Sequence, residues 1–322
     1  MPGKYLFDRP VVILAAPRSG STLLFETLSK STDFWTIGGE SHRVFESIKR
    51  FSPLTAFCDS NALTADDATP EIVEHIRRLF FQQLRDTSGR AIQNMPNPMN
   101  VFPRMLEKTP KNALRASLIN EIFPDALFIY LYRNPRENIS SMMDAWESGR
   151  FVTYPSLQGR NRPWSLLLPP DWQSYHDASL EQITAFQWRA ANNGILNELN
   201  KLDSDRWIAV SHGQQVHSAS VTVQRICDFC DVSADAILES LTKGKPKLSR
   251  YTVTPPAEGK WRKRSVALGR IMPDLKDTVD FIRKSTAGIP EDEFELSIDT
   301  AGSGTSPSGL ADSGDSVDSA SR

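Results

Sequence analysis

A continuous apolar run that ends in a small, hydroxyl-rich loop is the feature that most constrains how this chain can fold. Residues 11–16 (Val-Val-Ile-Leu-Ala-Ala) have the length and composition of a strand buried on both faces, as in a parallel sheet. The chain then turns through residues 17–21 and enters a helical pattern over 22–30. Because the first amides of a helix lack partners within it, this order predicts an anion-binding loop.

The loop itself, residues 17–22 (Pro-Arg-Ser-Gly-Ser-Thr), carries the polar groups that an anion site needs. Arg18 supplies a positive charge in a fork geometry that suits phosphate or sulfate oxygens. Gly20 permits the turn at the start of the helix. Three side chains add hydroxyl donors: Ser19, Ser21 and Thr22.

A nucleoside-triphosphate loop is the first alternative to consider. The Walker pattern places Gly-Lys-Ser/Thr at this point, and its lysine reaches the β- and γ-phosphates. Here Ser21 stands where that lysine would be. Ordinary ATP or GTP hydrolysis is therefore disfavoured, but a nucleotide kinase or NTPase stays open, as does a nucleotide-binding module without catalysis.

Later segments repeat the order of strand and helix. Strand-like runs lie at residues 105–109, 127–132 and 206–211. Helical patterns lie at 113–122, from 135 to about 146, along a long stretch from 183 to 202, and at 221–231. This alternation predicts an α/β fold with a central parallel sheet and helices on both faces.

On these motifs the sequence resembles the soluble, bacterial-type sulfotransferases that use 3′-phosphoadenosine 5′-phosphosulfate (PAPS). That family carries a Pro-Arg/Lys-Ser-Gly-Thr/Ser-Thr loop after its first strand, similar to residues 17–22. It also carries an arginine at a strand end and a serine on the next helix, as at Arg133 and Ser141. The resemblance implies a P-loop-like sulfotransferase fold, with the loop on the 5′-phosphosulfate and Arg133 and Ser141 on the 3′-phosphate.

A third element of the resemblance lies at the end of the strand-like run 105–109. The family places a lysine there that bridges the leaving oxygen of the sulfuryl group, and Lys108 matches it. A cation aimed at an oxygen that gains negative charge stabilises the transition state. The nearby Lys111 and Arg115 are expected to be solvated.

The proton acceptor is not at its usual place. Many cytosolic members have Lys-Thr-His, with the histidine as base, whereas Pro110 follows Thr109 here. Glu40 and His42 are the substitutes, since residues two apart in an extended segment point to the same side and either can take a proton. The segment resembles the acidic stretch of tyrosine-protein sulfotransferases, except that Ser41 replaces the second acid. Both candidates stay open, as does a structural pairing of Glu40 with Arg43.

Two further segments complete the predicted site. Residues 260–264 (Lys-Trp-Arg-Lys-Arg) resemble the late basic segment that closes over the nucleotide, which makes Lys260 and Arg262 predicted ligands. Residues 147–179 are rich in proline and aromatics and predict an acceptor-site lid. Such a lid favours an apolar or amphipathic alcohol as acceptor. Four tryptophans could stack on adenine, line the acceptor pocket or pack in the core: Trp146, Trp164, Trp172 and Trp188.

Charge and composition exclude other classes. Thirty-seven basic against 39 acidic residues, a net charge of −2, do not fit a nucleic-acid binder. The three cysteines, Cys58, Cys227 and Cys230, are too few for a disulfide framework and favour a reducing, cytoplasmic location. Cys227 and Cys230 are interpreted as buried helix residues rather than a metal site, and no metal is expected. No run approaches the ~18 apolar residues that a membrane span requires, and no signal peptide is evident.

The domain organisation follows from a shift in composition near residue 300. Residues 1–298 are predicted to form one sulfotransferase domain, while the Ser-, Gly- and Asp-rich residues 299–322 predict a disordered tail or a linker. A linker would suit a domain of a multidomain synthase that acts on a carrier-bound hydroxyl. His212 and His217, after the last strand-like run, are interpreted as bystanders.

Overall fold

Five parallel strands organise the fold of the computed structural model, which describes residues 5–55, 59–157, 162–243, 249–255 and 257–298. The strands are β1 (Val11–Ala15), β2 (Phe34–Trp35), β3 (Arg104–Lys108), β4 (Leu127–Tyr132), β5 (Val152–Tyr154), β6 (Trp164–Ser165) and β7 (Trp207–Ser211). The parallel sheet has the order β2-β3-β1-β4-β7, and β5 and β6 form a separate antiparallel pair. The predicted central parallel sheet is confirmed.

Helices connect and cover these strands. They are α1 (Ser21–Leu28), α2 (His42–Glu46), α3 (Pro70–Gln83), α4 (Ala116–Ile122), α5 (Pro135–Glu147), α6 (Leu180–Leu199), α7 (His212–His217), α8 (Ala219–Cys230), α9 (Asp235–Thr242), α10 (Ser265–Ile271) and α11 (Lys276–Ser285). Short 3₁₀ turns, among them Pro110–Leu114 and Lys260–Arg264, link several of them. Each predicted strand and helix is present, with ends shifted by a few residues.

The alternation of side chains along β1 explains why helices lie on both faces of the sheet. Val12 and Leu14 belong to a core that includes residues of α4, α5 and α6. Val11 and Ile13 point to the other face, where they pack with residues of α1 and α8. Because β1 pairs with β3 on one side and β4 on the other, it is buried on every side. An apolar run without alternation is what this position requires.

The helix predicted at 113–122 is divided at Arg115, and the expectation that Lys111 and Arg115 are solvated is wrong. Arg115 is 0% exposed and its Nε donates to the carbonyl of Asn61 at 3.0 Å. Lys111, 4% exposed, donates from Nζ to Glu46 Oε1 at 2.5 Å and to the Tyr154 hydroxyl at 2.9 Å. Both cations can be buried because the half-buried carboxylate of Glu46 and further oxygen acceptors lie within reach of them.

The predicted lid is more ordered than a loop. Its antiparallel strands β5 and β6 bring Trp164 into an apolar cluster with Trp172 and Phe186. Trp146 donates to Gln187 on α6, whose side-chain amide donates in turn to main-chain carbonyls of the lid. Trp188 is fully buried in the main core. Of the three readings for these tryptophans, packing in the apolar clusters is the one observed. Residues 158–161 of the lid lie outside the described residues.

The cysteines on α8 are buried, as predicted. Burial raises the pKa of Cys227 to about 11 and that of Cys230 to about 12, so both stay protonated near neutral pH. Cys58 lies outside the described residues, as do residues 299–322, so the domain boundary at 298 stays a prediction. Within the described ranges, no helix combines the length and hydropathy needed to span a membrane.

Candidate active site

The anion loop joins β1 to α1 and has the geometry that its sequence predicts. Gly20 lies at φ 95° and ψ 8°, in the left-handed region, and α1 starts at Ser21. A Cβ atom on Gly20 would lie 2.5 Å from Cδ2 of His212, so the position has no room for a side chain. No side chain among the described residues caps α1. The first amides of α1 are therefore left for an anion.

Arg18 is held at the edge of this loop by its surroundings. Its Nη1 donates to the carbonyl of Tyr251 at 2.9 Å, and its guanidinium carbon lies 4.8 Å from the ring centroid of Phe151. Burial, with repulsion from Arg133 and Arg150, lowers the pKa of Arg18 to about 10, which still leaves it cationic at neutral pH. Its buried Nε has no hydrogen-bond partner in the part of the chain that the structure describes.

Ser19 directs its hydroxyl into the protein and not into the cavity, so its role in nucleotide binding stays a prediction. The side chain is fully buried, and Oγ lies 2.8 Å from the carbonyl oxygen of Ala16 and 2.8 Å from Asn138 Oδ1. Asn138 in turn donates to the carbonyl of Pro17 at 2.8 Å. Ser19 therefore fastens the loop to α5.

Lys108 lies beneath the loop at the end of β3. The side chain is 3% exposed, and Nζ donates to Thr22 Oγ1 at 3.0 Å and to Glu40 Oε1 at 2.5 Å. Its Nζ also lies 5.6 Å from the ring centroid of Tyr251. Lys108 thus joins the anion loop to the segment that carries the candidate bases.

Glu40 and His42 contact each other, although the segment is not extended, because α2 begins at His42. Nε2 of His42 lies 2.7 Å from Glu40 Oε2. Burial opposes the ionisation of Glu40, but the hydrogen bond from His42 and the charge of Lys108 outweigh it and lower its pKa to about 2. Glu40 pairs with these two residues, rather than with Arg43 as in the structural alternative.

A carboxylate can only accept, so Nε2 of His42 carries the proton in this contact. The other ring nitrogen, Nδ1, is buried without a hydrogen-bond partner in the described ranges.

Arg133 and Ser141 flank the loop from the neighbouring strand and helix. Arg133 follows β4, and its Nη1 donates to the carbonyl of Arg18 at 3.1 Å while Nη2 donates to Glu137 Oε2 at 3.0 Å. Ser141 lies on α5 and lines the same cavity as Arg133. The predicted pair is therefore brought to one place beside the loop.

The basic segment 260–264 divides its charges between the cavity and α5. Lys260 and Arg262 line the cavity. Arg18 and Arg133 are close enough to Lys260 that, together with burial, they help to lower its pKa. Lys263 and Arg264 point instead to Asp144 on α5, at 2.9 Å and 2.7 Å, and fix the segment in position.

These groups surround a cavity of about 1230 Å³ at the carboxyl edge of the sheet. Most of the predicted site residues line it: Arg18, Gly20, Ser21, Thr22, Glu40, His42, Arg133, Ser141, Lys260 and Arg262. Ser19 and Lys108 lie behind its wall. Three residues with apolar side chains also line the cavity: Pro110, Phe151 and Leu166. Across the described residues, no group of three or more His, Cys, Asp and Glu side chains is arranged to hold a metal ion.

Sequence reasoning missed three parts of the cavity wall. His212, interpreted as a bystander, packs on Gly20; burial, with repulsion from Arg133, lowers its pKa to about 3. Its position directly after β7 was a usable signal, since the carboxyl ends of neighbouring parallel strands meet at one edge. Tyr251 and the acidic segment around Glu293 carried no sequence signal.

Together these features define an α/β protein with an anion-binding loop and converging cations at the carboxyl edge of a parallel sheet. The profile of the sulfotransferase family matches residues 10–236, and the chain belongs to this family.

Several solved structures are similar at low identity. A sulfotransferase domain from the olefin synthase of Synechococcus PCC 7002 shares 18% identity, covers 82% of this chain and 95% of its own, and has a TM-score of 0.44. The sulfotransferase STF9 of Mycobacterium avium shares 13%, with 85% and 76% covered and a TM-score of 0.48. Mouse sulfotransferase SULT7A1, complexed with PAP, shares 12%, with 86% and 90% covered and a TM-score of 0.43. No curated protein matches the chain.

Proposed function

We propose that this sulfotransferase uses PAPS as its donor and transfers the sulfuryl group to an acceptor hydroxyl, with 3′,5′-adenosine bisphosphate (PAP) as the second product. The observation that carries the proposal is the convergence of three cations, Arg18, Arg133 and Lys260, around the free amides at the start of α1. PAPS carries anionic groups at both its 5′ and 3′ ends. The site offers donors and charge for each.

The donor fits the residues that are present. The buried, unpartnered Nε of Arg18 and the uncapped amides of α1 are donors without acceptors in the described structure, as expected where an anion binds. We assign Arg18, Gly20, Ser21 and Thr22 to the 5′ end. Arg133, Ser141, Lys260 and Arg262 are assigned to the 3′-phosphate. Neither assignment requires a metal ion.

In the transfer, the acceptor oxygen forms a bond to sulfur while the bond from sulfur to the 5′-phosphate oxygen breaks. The bonding electrons stay on that oxygen, which becomes part of PAP. Lys108 is the cation that we assign to this oxygen, because its Nζ already contacts Thr22 of the loop at 3.0 Å. Such a fixed charge contributes most where negative charge develops.

The proton of the acceptor hydroxyl goes to the pair Glu40 and His42. While Lys108 is bonded to Glu40, the low pKa of that carboxylate makes it a weak base. Nδ1 of His42 has no partner among the described residues but is buried, so it can accept the proton only after the ring turns toward the cavity. If Lys108 turns toward the leaving oxygen, Glu40 loses one of the groups that lower its pKa and becomes the stronger base. Both remain assigned to this role, and Glu40→Gln should be compared with His42→Ala. Full turnover in both variants would contradict the assignment.

The acceptor is proposed to be an apolar or amphipathic alcohol, free or attached to a carrier. Support comes from the apolar side chains of Phe151, Leu166 and Pro110, which line the same cavity as Glu40 and His42. We also propose a reducing, cytoplasmic location, in keeping with the unpaired thiols of Cys227 and Cys230. A role within a multidomain synthase is proposed on the composition of residues 299–322 alone.

Thermal shift with PAP and with ADP-Mg²⁺ tests the proposed donor. PAP should raise the melting temperature, whereas ADP-Mg²⁺ should have little effect because the loop has no Walker lysine. Stabilisation by ADP-Mg²⁺ alone would favour a kinase or NTPase. Binding of PAP without transfer of radiolabelled sulfate to any alcohol, free or carrier-bound, would favour a non-catalytic module.

A further inference from the structure

A buried carboxylate at the tip of β3 has no role in the scheme above. Glu107 precedes Lys108 and is 3% exposed. Its Oε1 accepts from the hydroxyls of Ser41, at 2.6 Å, and Thr109, at 2.7 Å. Its Oε2 accepts from Nδ2 of Asn112 at 2.7 Å. Three donors therefore converge on one carboxylate inside the protein.

The partner of Glu107 on the opposite segment is the residue between the two candidate bases. Ser41 is buried, with Glu40 before it and His42 after it. Besides its hydroxyl contact to Glu107, Ser41 donates its main-chain N–H to Thr109 Oγ1 at 2.7 Å. Glu107 and Thr109 thus hold the side chain and the backbone of Ser41 at once.

Glu107, Thr109 and Ser41 are called the anchors below. The residues next to them in the sequence are the ones to which the proposed function assigns the chemistry. Lys108, between Glu107 and Thr109, reaches Glu40, and Glu40 reaches His42. Two short segments therefore lie side by side, with Glu107, Ser41, Thr109 and Lys108 buried inside the protein and Glu40 and His42 lining the cavity. An error in the register of either segment would move Lys108 and Glu40 apart.

Burying a carboxylate is costly, and apolar replacements of buried polar groups often cost little stability. Burial raises the pKa of Glu107, against the opposing effect of the hydrogen bonds from Ser41, Thr109 and Asn112. A buried carboxylate needs all of its hydrogen bonds, so it favours the one arrangement of the surrounding segments in which these bonds can form. Because its contacts fix Ser41, the arrangement favoured is that of Glu40 and His42.

We propose that Glu107 is a positioning residue of the sulfuryl-transfer site: through Ser41 and Thr109 it fixes the segment of Glu40 and His42 against Lys108. The inference rests on the proposed function, but it concerns the acceptor side and leaves nucleotide binding untouched. Loss of Glu107 should release residues 38–46 and lower turnover while the affinity for PAP stays the same.

The test combines hydrogen exchange with titration calorimetry on the full chain. Glu107→Gln removes the charge of one anchor, and Thr109→Val removes the hydroxyl of another, each with little change in volume. Thr109→Ser keeps the hydroxyl and should rescue the loss. Asn112→Ala is the matched control, because it removes the donor on Oε2 and leaves the contacts of Ser41 in place.

We expect amide exchange in residues 38–46 to accelerate by about tenfold or more in Glu107→Gln and Thr109→Val, as for loss of a buried hydrogen bond to a charge. Thr109→Ser and Asn112→Ala should stay near wild type in that segment. PAP, used as the probe, should bind all four variants about equally. With an alcohol acceptor, kcat should fall in the first two variants at unchanged KM for PAPS.

Two results would overturn the proposal. One is unchanged exchange of residues 38–46 in both Glu107→Gln and Thr109→Val. The other is an equal acceleration in the peptides of β1 and β4, or a parallel loss of PAP binding, since either would mean a general structural role. Should one variant fail to fold, the other still decides. Absence of PAP binding by the wild-type protein would instead count against the proposed function.

Discussion

Gly20 offers a quantitative test of how tightly the anion loop is built. At φ 95°, an alanine would pay the steric cost of the left-handed region, about 1–2 kcal/mol. Its Cβ would also lie 2.5 Å from Cδ2 of His212, and such overpacking typically costs about 1–3 kcal/mol. Gly20→Ala should therefore lower the free energy of unfolding by about 2–5 kcal/mol.

Gly89 is the matched control for this substitution. It too has a positive φ, 83°, but a Cβ atom there would meet no atom within 4 Å. Gly89→Ala should thus show only the backbone cost, about 1–2 kcal/mol. Urea unfolding followed by circular dichroism measures both free energies, provided that the transitions are two-state.

A second background separates the two costs at Gly20. In a His212→Ala protein the contact is removed, so Gly20→Ala should cost only about 1–2 kcal/mol there. Equal losses for Gly20→Ala and Gly89→Ala would refute the contact with His212. The contact would also be refuted if Gly20→Ala lowered the free energy of unfolding as much in the His212→Ala protein as in the wild type.

Three further predictions concern charge and the nucleotide. Lys108→Ala should lower transfer from PAPS by about 10²–10³-fold, measured as PAP release, and should also weaken PAP binding in calorimetry, because the charge acts on the leaving oxygen, which is part of the 5′-phosphate of PAP. Arg133→Ala should weaken PAP binding by about tenfold or more and leave the binding of 5′-AMP, which lacks the 3′-phosphate, nearly unchanged; equal losses for both would place Arg133 elsewhere. The pKa of His212, about 3 in the folded chain against 6.5 for a free imidazole, means that the unfolded chain binds more protons between these values, so stability is lost as pH falls below 6.5. From pH 7 to pH 5 the wild type should lose about 1–2 kcal/mol more than His212→Gln in urea unfolding, and identical pH profiles would contradict a neutral, buried His212.

The sequence by itself determined four of the five parallel strands (β1, β3, β4 and β7) and the positions of α1, α4, α5, α6 and α8. A run such as Val11–Ala15 can only be buried on both faces, and Asn134 and Pro135 mark the start of α5 by their capping geometry. The loop after β1 could also be predicted, because strand, glycine, charge and helix start are neighbours in the chain. These features depend on local periodicity and backbone geometry, which a sequence displays directly.

The tertiary structure decided what the side chains of those elements contact. Ser19 belongs to the loop motif, yet its hydroxyl is hydrogen-bonded to Asn138, which is remote in the sequence. The sequence predicts a solvated Lys111, but the tertiary structure places Glu46 and Tyr154 against its Nζ. Such contacts join segments that are remote in sequence, so no local pattern records them.

The active site shows the same division. The sequence supplied Lys108, Glu40 and His42 as candidates, but not that Glu40 lies between the other two, nor that Glu107 and Ser41 hold their segments together. Parallel strands place their carboxyl ends at one edge, which brings the motifs to one place. Which side chains then pair is set by burial, because a charge removed from water must find its partner among whatever residues the packing places beside it.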